Sequence, residues 1–365
     1  MTAAVGFVAG LFTAVFLLVI FDMRPRGLFK PRGDEPFKNA IAHRLSAGPY
    51  IVAVGGGTGL STLLRGLKGF TRNITAVVAV TDEGGSSGRL RTEWGVLPPG
   101  DVRNCMIALA ENDNELKRLL DFRFDRGDLA GHSLGNLFLL AVSELCGDFS
   151  VAVQRMNHLL AIRGRVLPVT TETITLVGRG RERTFRGEIE ISKNGRFLES
   201  VWLEPDGAKP LPDALLAVDD AELVVLGPGS LFTSVIPNLL LPEFSEKLIG
   251  SASPIVYVCN LMTQPEETEG MSISRHLEWV SAALGDVPDY IVVNNESIPE
   301  YLIERYRIEG AEALYLSDEE RERIEESGCS VLEFPMISIT ESGLVRHDSS
   351  KLAERLFRLC RELRE

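Results

Sequence analysis

The residues best suited to chemistry are the glycines of the segment Gly55–Gly59, which reads Gly-Gly-Gly-Thr-Gly. The apolar run Ile51–Val54 precedes it, and leucines at helical spacing follow from Leu60. This pattern predicts a strand, a glycine turn and a helix start. Amides at a helix start are unpaired and partly positive, and glycine lets a ligand approach them closely. We therefore predict an anion site, most naturally for a nucleotide phosphate. The predicted contacts are Gly55, Gly56, Gly57, Thr58 and Gly59.

This loop departs from two better-known phosphate motifs. No Lys-Ser/Thr pair follows its last glycine, so it is not a P-loop. Leu60 stands where the dinucleotide fingerprint has its third glycine, so that motif is incomplete. A plain tight turn between strand and helix stays open as the alternative.

A second loop combines carboxylates with hydroxyls and arginines. It runs from Thr81 to Arg91, follows the apolar run Ile74–Val80, and begins with the pair Asp82-Glu83. Adjacent carboxylates at a strand end can bind a ribose hydroxyl or a divalent metal. Asp82 is therefore a predicted ligand contact and the candidate metal ligand, and the alternative is a mobile, solvated loop.

Two further loops offer polar groups near helix starts. The first predicts a helix beginning near Asn104, where Asp101 or Asn104 is either a helix cap or a ligand contact, and Arg103 suits an anion. The second contains a G-x-S-x-G pattern around Ser133 before an apolar helix. No apolar strand precedes it, so we reject a serine hydrolase site. Ser133 and Asn136 are instead predicted hydrogen-bonding ligands, and His132 is a loop histidine with either a structural or a ligand role.

Two late loops complete the set. The run Leu223–Leu226 ends in Gly227-Pro228-Gly229-Ser230, a second glycine turn at a helix start. The run Ile255–Val258 is followed by Asn260, which is placed to contact a base or substrate. Gly229, Ser230 and Asn260 join the predicted contacts. Two glycine turns that converge on one crevice indicate a phosphate site more specifically than either turn alone.

These loops need a scaffold that brings strand ends together. Apolar runs alternate with helical patterns from Tyr50 onward, which predicts an α/β fold with a Rossmann-like, doubly wound, mostly parallel sheet over residues 50–365. Residues 171–210 read differently, as a small antiparallel β insertion with strands over 173–177, 184–191 and 197–203. Its predicted turns lie at Arg179-Gly180 and Asn194-Gly195.

Composition excludes some classes of partner and suggests an anchor. The formal charge is −13, which argues against a nucleic-acid surface, and the five scattered cysteines indicate a reducing compartment.

Residues 3–21 are uncharged and apolar, and basic residues follow at Arg24, Arg26, Lys30 and Arg32. We predict a transmembrane anchor over residues 1–22, a basic juxtamembrane linker over 23–49, and a cytoplasmic domain on the inner membrane. A buried N-terminal helix is the alternative.

The chain resembles the gluconeogenesis factor family (YvcK-type), bacterial relatives of 2-phospho-L-lactate transferase. The segments that carry the resemblance are GGGTGLSTLLRGL, TDEGGSSGRLR, LPPGDVRNC, GHSLGNL, GPGSLFTSVIPNLL, CNLMTQP and GLVRHD. The resemblance implies a UDP-sugar ligand, UDP-N-acetylglucosamine, and support of cell shape, peptidoglycan synthesis and gluconeogenic growth. The implied contacts are Gly56, Gly57, Thr58, Asp82, Asn136, Gly229, Ser230, Asn260 and Arg346. The branch usually has two aspartates where this chain has Asp82-Glu83, and the extra methylene shifts the second carboxylate by about 1.5 Å.

Three kinds of function remain open. A binding and regulatory factor is favoured, with cell-wall synthesis proteins as partners and a homo-oligomeric state. The alternative is a transferase of phosphorus-containing groups, which would use Asp82, Glu83 and Arg103 and, in that case, magnesium. An NAD-dependent oxidoreductase is the third and weakest alternative. Ser349 or Ser350 is a predicted helix cap, and phosphorylation there is a further hypothesis.

Overall fold

A computed structural model describes residues 43–111 and 115–364 of the chain. The compact unit begins at Leu45 rather than at Tyr50. The last part of the predicted linker belongs to it, because Thr71 donates a hydrogen bond to the Pro49 carbonyl and Asn73 donates one to the Gly48 carbonyl. The strands are β1 (Ile51–Gly55), β2 (Ile74–Val78), β3 (Arg165–Pro168), β4 (Thr175–Gly180), β5 (Thr184–Arg186), β6 (Leu198–Glu204), β7 (Leu223–Leu226), β8 (Ile255–Val258), β9 (Tyr290–Asn294), β10 (Ser330–Phe334), β11 (Ile337–Ile339) and β12 (Val345–His347).

Seven of these strands form a central parallel sheet in the order β3-β2-β1-β7-β8-β9-β10. Ala53 in β1 pairs with Ala76 on one side and with Val225 on the other. The strands β1, β2, β7 and β8 are buried along their whole length, as parallel strands with both faces covered must be. The predicted α/β fold with a mostly parallel sheet is confirmed. The chain order reverses between β1 and β7, which creates a crevice at their carboxyl ends.

Helices connect and cover the strands. They are α1 (Gly57–Leu67), α2 (Gly85–Trp94), α3 (Gly100–Leu109), α4 (Glu115–Asp121), α5 (Leu134–Cys146), α6 (Phe149–Leu159), α7 (Glu188–Asn194), α8 (Pro212–Asp219), α9 (Ile236–Leu239), α10 (Pro242–Ile249), α11 (Ile273–Leu284), α12 (Glu300–Ile308), α13 (Asp318–Glu326) and α14 (Ser349–Glu362). A short 3-10 helix spans Gly195–Phe197, and a π-helical turn spans Leu231–Val235 directly before α9.

The first helix is held between the sheet and the C-terminal helix. Leucines at its helical spacing, from Leu60 to Leu67, are fully buried. On its other side α14 passes so close that a Cβ added at Gly66 would lie 1.9 Å from the Ser349 carbonyl oxygen. Helix α14 is capped by Asp348, which accepts hydrogen bonds from the amides of Ser350 and Lys351, so the predicted serine cap is wrong.

The antiparallel insertion exists, but one of its predicted strands is mostly helix. Its sheet has the order β5-β4-β6, and the predicted turn at Arg179-Gly180 lies at the end of β4. The predicted strand over 184–191 ends at Arg186, because Gly187 adopts a positive φ of 88° and α7 follows. The predicted turn at Asn194-Gly195 is the junction of α7 with the 3-10 helix. A second small sheet, the hairpin β11-β12, was not predicted.

No helix within residues 43–111 and 115–364 has both the length and the apolarity that a membrane crossing needs. The predicted anchor over residues 1–22, and the linker up to residue 42, lie outside the described residues. The anchor stays a prediction.

Candidate functional site

A cleft of about 380 Å³ opens where the loops after β1 and β7 meet. Its walls come from the first glycine turn (Gly56–Gly59), the second glycine turn (Pro228–Ser230), the loop Asn260–Pro265, and Tyr306 with β12. Such a volume lies within the range of small-molecule sites. The structure thus brings together many of the predicted contacts, namely Gly56, Gly57, Thr58, Gly59, Gly229, Ser230, Asn260 and Arg346. Gly55 is the buried last residue of β1 and does not line the cleft.

The first turn needs its glycines for backbone reasons. Gly57 has a φ of +64°, a conformation that side chains other than glycine rarely adopt. Helix α1 begins there, and Gly56 before it has no side chain to cap the helix. The amide of Gly57 donates to the carboxylate of Asp101, while the next residues of the turn face the cleft.

The two glycine turns touch each other. A Cβ added at Gly59 would lie 2.4 Å from the carbonyl oxygen of Pro228 and 2.9 Å from the Cα of Gly229. Glycine at position 59 therefore allows the two loops to approach each other closely.

The amides just after the second turn already donate hydrogen bonds within the protein. The amide of Phe232 donates to Oε1 of Glu267 at 3.0 Å, and the amide of Thr233 also bonds to that carboxylate. Ser230 Oγ accepts a hydrogen bond from Nε2 of Gln264 at 2.8 Å and lies in the cleft wall. A phosphate in this cleft would therefore meet the residues of the turn itself, and the amides of the following helix start are engaged by the protein.

The hairpin β11-β12 places Arg346 at the cleft. His347 bonds through Nε2 to the Cys259 carbonyl oxygen at 3.2 Å, and the Tyr306 hydroxyl accepts from the amide of Val345 at 3.0 Å. Burial lowers the pKa of His347 to about 4, so its ring is neutral and donates this bond at physiological pH. Arg346, between these two tethered residues, carries an exposed guanidinium that can contact an anion.

A group of carboxyls lies beside the first turn. Burial, reinforced by the nearby charge of Asp82, raises the pKa of Asp101 to about 7. Burial also raises the pKa of Glu188, which accepts a hydrogen bond from the amide of Glu83 at 3.0 Å and bonds to the Asp82 side chain. Glu188 comes from the antiparallel insertion, so the insertion contributes a side chain to the edge of the site.

The predicted contacts at the start of α3 do not line the cleft. Asp101, Arg103 and Asn104 are in the first turns of α3, whose cap position is Pro99, so the predicted side-chain cap is wrong. Arg103 is buried and donates to Oδ1 of Asn104.

The loop before α5 forms its own hydrogen-bond network. Ser133 is fully buried and caps α5 by accepting from the amide of Asn136 at 3.2 Å. Asn136 donates from Nδ2 to Ser86 Oγ at 3.0 Å, and Ser86 also bonds to His132. Contact of Ser133 or Asn136 with a ligand stays a prediction. The network ties this loop to α2, which begins just after the Asp82-Glu83 pair.

The described residues contain no group of three or more His, Cys, Asp or Glu side chains arranged to hold a metal ion. Asp82 therefore has no assembled ligand set around it.

Sequence reasoning missed four residues of this region, namely Glu188, Gln264, Glu267 and Tyr306. Gln264 follows Asn260 closely, so the polar loop after β8 was the available signal. Glu188, Glu267 and Tyr306 reach the site only through tertiary packing and have no local signal.

Comparison with known proteins agrees with this architecture. The family model of 2-phospho-L-lactate transferase CofD matches residues 51–337. The chain is 42% identical to a putative gluconeogenesis factor of Nostoc, over 91% of this chain and 73% of that protein. It is 43% identical to one of Deinococcus radiodurans, over 98% and 76%. It is 40% identical to the gluconeogenesis factor of Bacillus subtilis, over 86% and 99%.

A solved structure is also similar. A crystal structure of a Bacillus halodurans protein aligns with a TM-score of 0.81 at 40% identity, covering 85% of this chain and 99% of that one. The similarity to these proteins, in sequence and in structure, therefore extends over nearly the whole folded unit. The chain belongs to the gluconeogenesis factor family, within the group that the 2-phospho-L-lactate transferase model describes.

Proposed function

We propose that this protein is a regulatory factor that binds a nucleoside diphosphate sugar, UDP-N-acetylglucosamine, in the cleft between the two glycine turns. The observation that carries the proposal is the contact of the turns at Gly59 and Pro228. It places backbone and hydroxyl donors from two strands around one volume, which suits a diphosphate better than a single phosphate. Arg346 adds positive charge at the same opening.

The cellular role follows from the family and stays part of the proposal. A factor that senses a cell-wall precursor would support cell shape, peptidoglycan synthesis and gluconeogenic growth, with wall-synthesis proteins as partners and a homo-oligomeric state. The apolar segment over residues 3–21 would anchor it at the inner membrane. Fractionation of the full chain and of a form lacking residues 1–22 tests the anchor, and an identical distribution of the two forms would refute it.

Calorimetric titration tests the ligand. UDP-N-acetylglucosamine, UDP, GDP and NAD are titrated into the full chain with and without magnesium. We expect the UDP compounds to bind, and Arg346→Ala to weaken binding about tenfold or more through the loss of a charge-assisted contact. Arg361→Ala, an exposed arginine on α14, is the matched control and should leave affinity unchanged. Binding of GDP alone, and only with magnesium, would refute the proposal.

A transferase of phosphorus-containing groups is the second candidate. It is favoured by the match to the 2-phospho-L-lactate transferase model and by the carboxyls of Asp82, Asp101 and Glu188 beside the first turn. Incubation with UDP-N-acetylglucosamine and magnesium, followed by phosphorus NMR, separates the two candidates. Steady release of UMP together with the sugar 1-phosphate, with water as the acceptor, would support the enzyme, and an intact ligand would support the binding factor.

A further inference from the structure

Glu267 places a carboxylate at the helix start that follows the second glycine turn. Its residue is 3% exposed, and its Oε1 accepts from the amide of Phe232 at 3.0 Å, while Thr233 donates a second amide to the same group. These are the donors that the helix start would offer to an anion. An internal carboxylate thus occupies the position of an anionic ligand on these two amides.

The segment around Glu267 joins three parts of the site. The amide of Gln264 donates to Thr268 Oγ1, and the Gln264 side chain donates to Ser230 Oγ, both at 2.8 Å. This connects the loop after β8 to the second glycine turn. A Cβ added at Gly195 would lie 2.3 Å from the Glu267 carbonyl oxygen, so the antiparallel insertion packs against the same segment.

We propose that Glu267 is a positioning residue of the cleft, whose ionised carboxylate clamps the second glycine turn to the loop after β8 and so holds Ser230 and Gln264 toward the ligand. The proposal rests on the proposed function for its ligand. An ionised acceptor forms shorter and stronger bonds to amides than a neutral one. Protonation of Glu267 therefore loosens the turn, and ligand affinity becomes linked to pH.

The surroundings of Glu267 determine where this linkage falls. Burial, with a smaller contribution from the charge of Glu188, raises the pKa of Glu267 to about 7. The insertion also brings a positively charged residue, Arg196, to this segment, where it forms an ion pair with Glu269. The clamp is therefore engaged above pH 7 and weakens as the pH falls below it.

Titration of UDP-N-acetylglucosamine at pH 6 and pH 8 tests the proposal. We expect wild-type affinity to be about three- to tenfold higher at pH 8, and Glu267→Gln to have the lower affinity at both pH values. Glu266→Gln is the matched control, because Glu266 is the exposed neighbour and should keep the wild-type profile. A Glu267→Gln protein with wild-type affinity and a wild-type pH profile would overturn the proposal.

A ligand-free measurement separates this proposal from the proposed function. Hydrogen–deuterium exchange of the peptide containing Phe232 and Thr233 reports on the clamp directly. At pH 8, after correction for the intrinsic exchange rate, Glu267→Gln should exchange severalfold faster at this peptide than wild type and Glu266→Gln. Equal protection in all three proteins would refute the positioning role, even if the ligand binds. If wild type binds no UDP compound, faster exchange in Glu267→Gln alone would still support the clamp.

Discussion

Replacement of Asp101 by Asn should stabilise the fold, and more so at high pH. The pKa of Asp101 is raised from its ordinary value of 3.8 to about 7, chiefly by burial and then by the charge of Asp82. The folded protein therefore holds this proton more tightly than the unfolded chain does. Between pH 4 and pH 7 the unfolded chain loses the proton first, so stability falls as the pH rises through this window and stays low above it.

The size of the effect follows from the shift. About three pKa units at about 1.4 kcal/mol each give an upper bound of about 4 kcal/mol at pH 8. Asp101 keeps some solvent contact. We therefore halve this value for screening, which leaves about 2 kcal/mol. At pH 5 only the first part of the window has been crossed, so the gain there should be less than half as large. Asparagine cannot ionise and can still accept the hydrogen bond from the Gly57 amide.

Urea unfolding of wild type, Asp101→Asn and Asp125→Asn at pH 5 and pH 8 measures this. The side chain of Asp125 is 89% exposed, so its variant is the matched control and should match wild type. An Asp101→Asn protein that is less stable than wild type at both pH values would refute the reasoning. That result would mean that the Asp101 carboxylate is ionised and well stabilised in the folded state.

Three further substitutions test the packing that builds the site. Gly59→Ala should reduce UDP-sugar affinity by tenfold or more in calorimetry, because its methyl group would lie 2.4 Å from the Pro228 carbonyl oxygen and separate the two turns; unchanged affinity would show that the turns act independently. Gly66→Ala should cost about 1–3 kcal/mol in urea unfolding by pushing α14 away from α1; wild-type stability would contradict the close packing. His347→Gln should be more stable relative to wild type at pH 4.5 than at pH 7 in urea unfolding, because burial lowers the pKa of His347 to about 4 and the unfolded wild-type chain takes up the proton first as the pH falls below 6.5; a stability difference that is the same at both pH values would contradict this.

The sequence allowed the parallel sheet and both glycine turns to be predicted, because these depend on local patterns. Apolar runs bounded by glycine and polar residues mark buried strands wherever they occur. The insertion shows the limit of such patterns. Glu188-Ile189-Glu190-Ile191 alternates as a strand does, yet it is helical, because Gly187 at a φ of 88° turns the chain and Ile191 packs into the core instead.

The carboxyls of the site could not have been predicted, since their roles depend on contacts between distant segments. Glu188 accepts a hydrogen bond from the amide of Glu83, and Glu267 accepts one from the amide of Phe232. The partners are far apart in the sequence, so no local pattern of residues predicts these contacts. Nothing in the adjacent residues distinguishes Glu267 from its exposed neighbour Glu266. Only the packed structure separates a buried capping carboxylate from a solvated one.

These carboxyls also limit which hydrogen-bond donors remain for an anion in the proposed site. Asp101 accepts from the amide of Gly57 in the first turn, and Glu267 accepts from the amides of Phe232 and Thr233 just after the second turn, so the protein itself already uses these donors. The remaining donors lie on both turns and on Arg346, and they face one cleft because the turns meet at Gly59. Affinity should therefore depend on both turns together, so that damage to either one removes most of the binding.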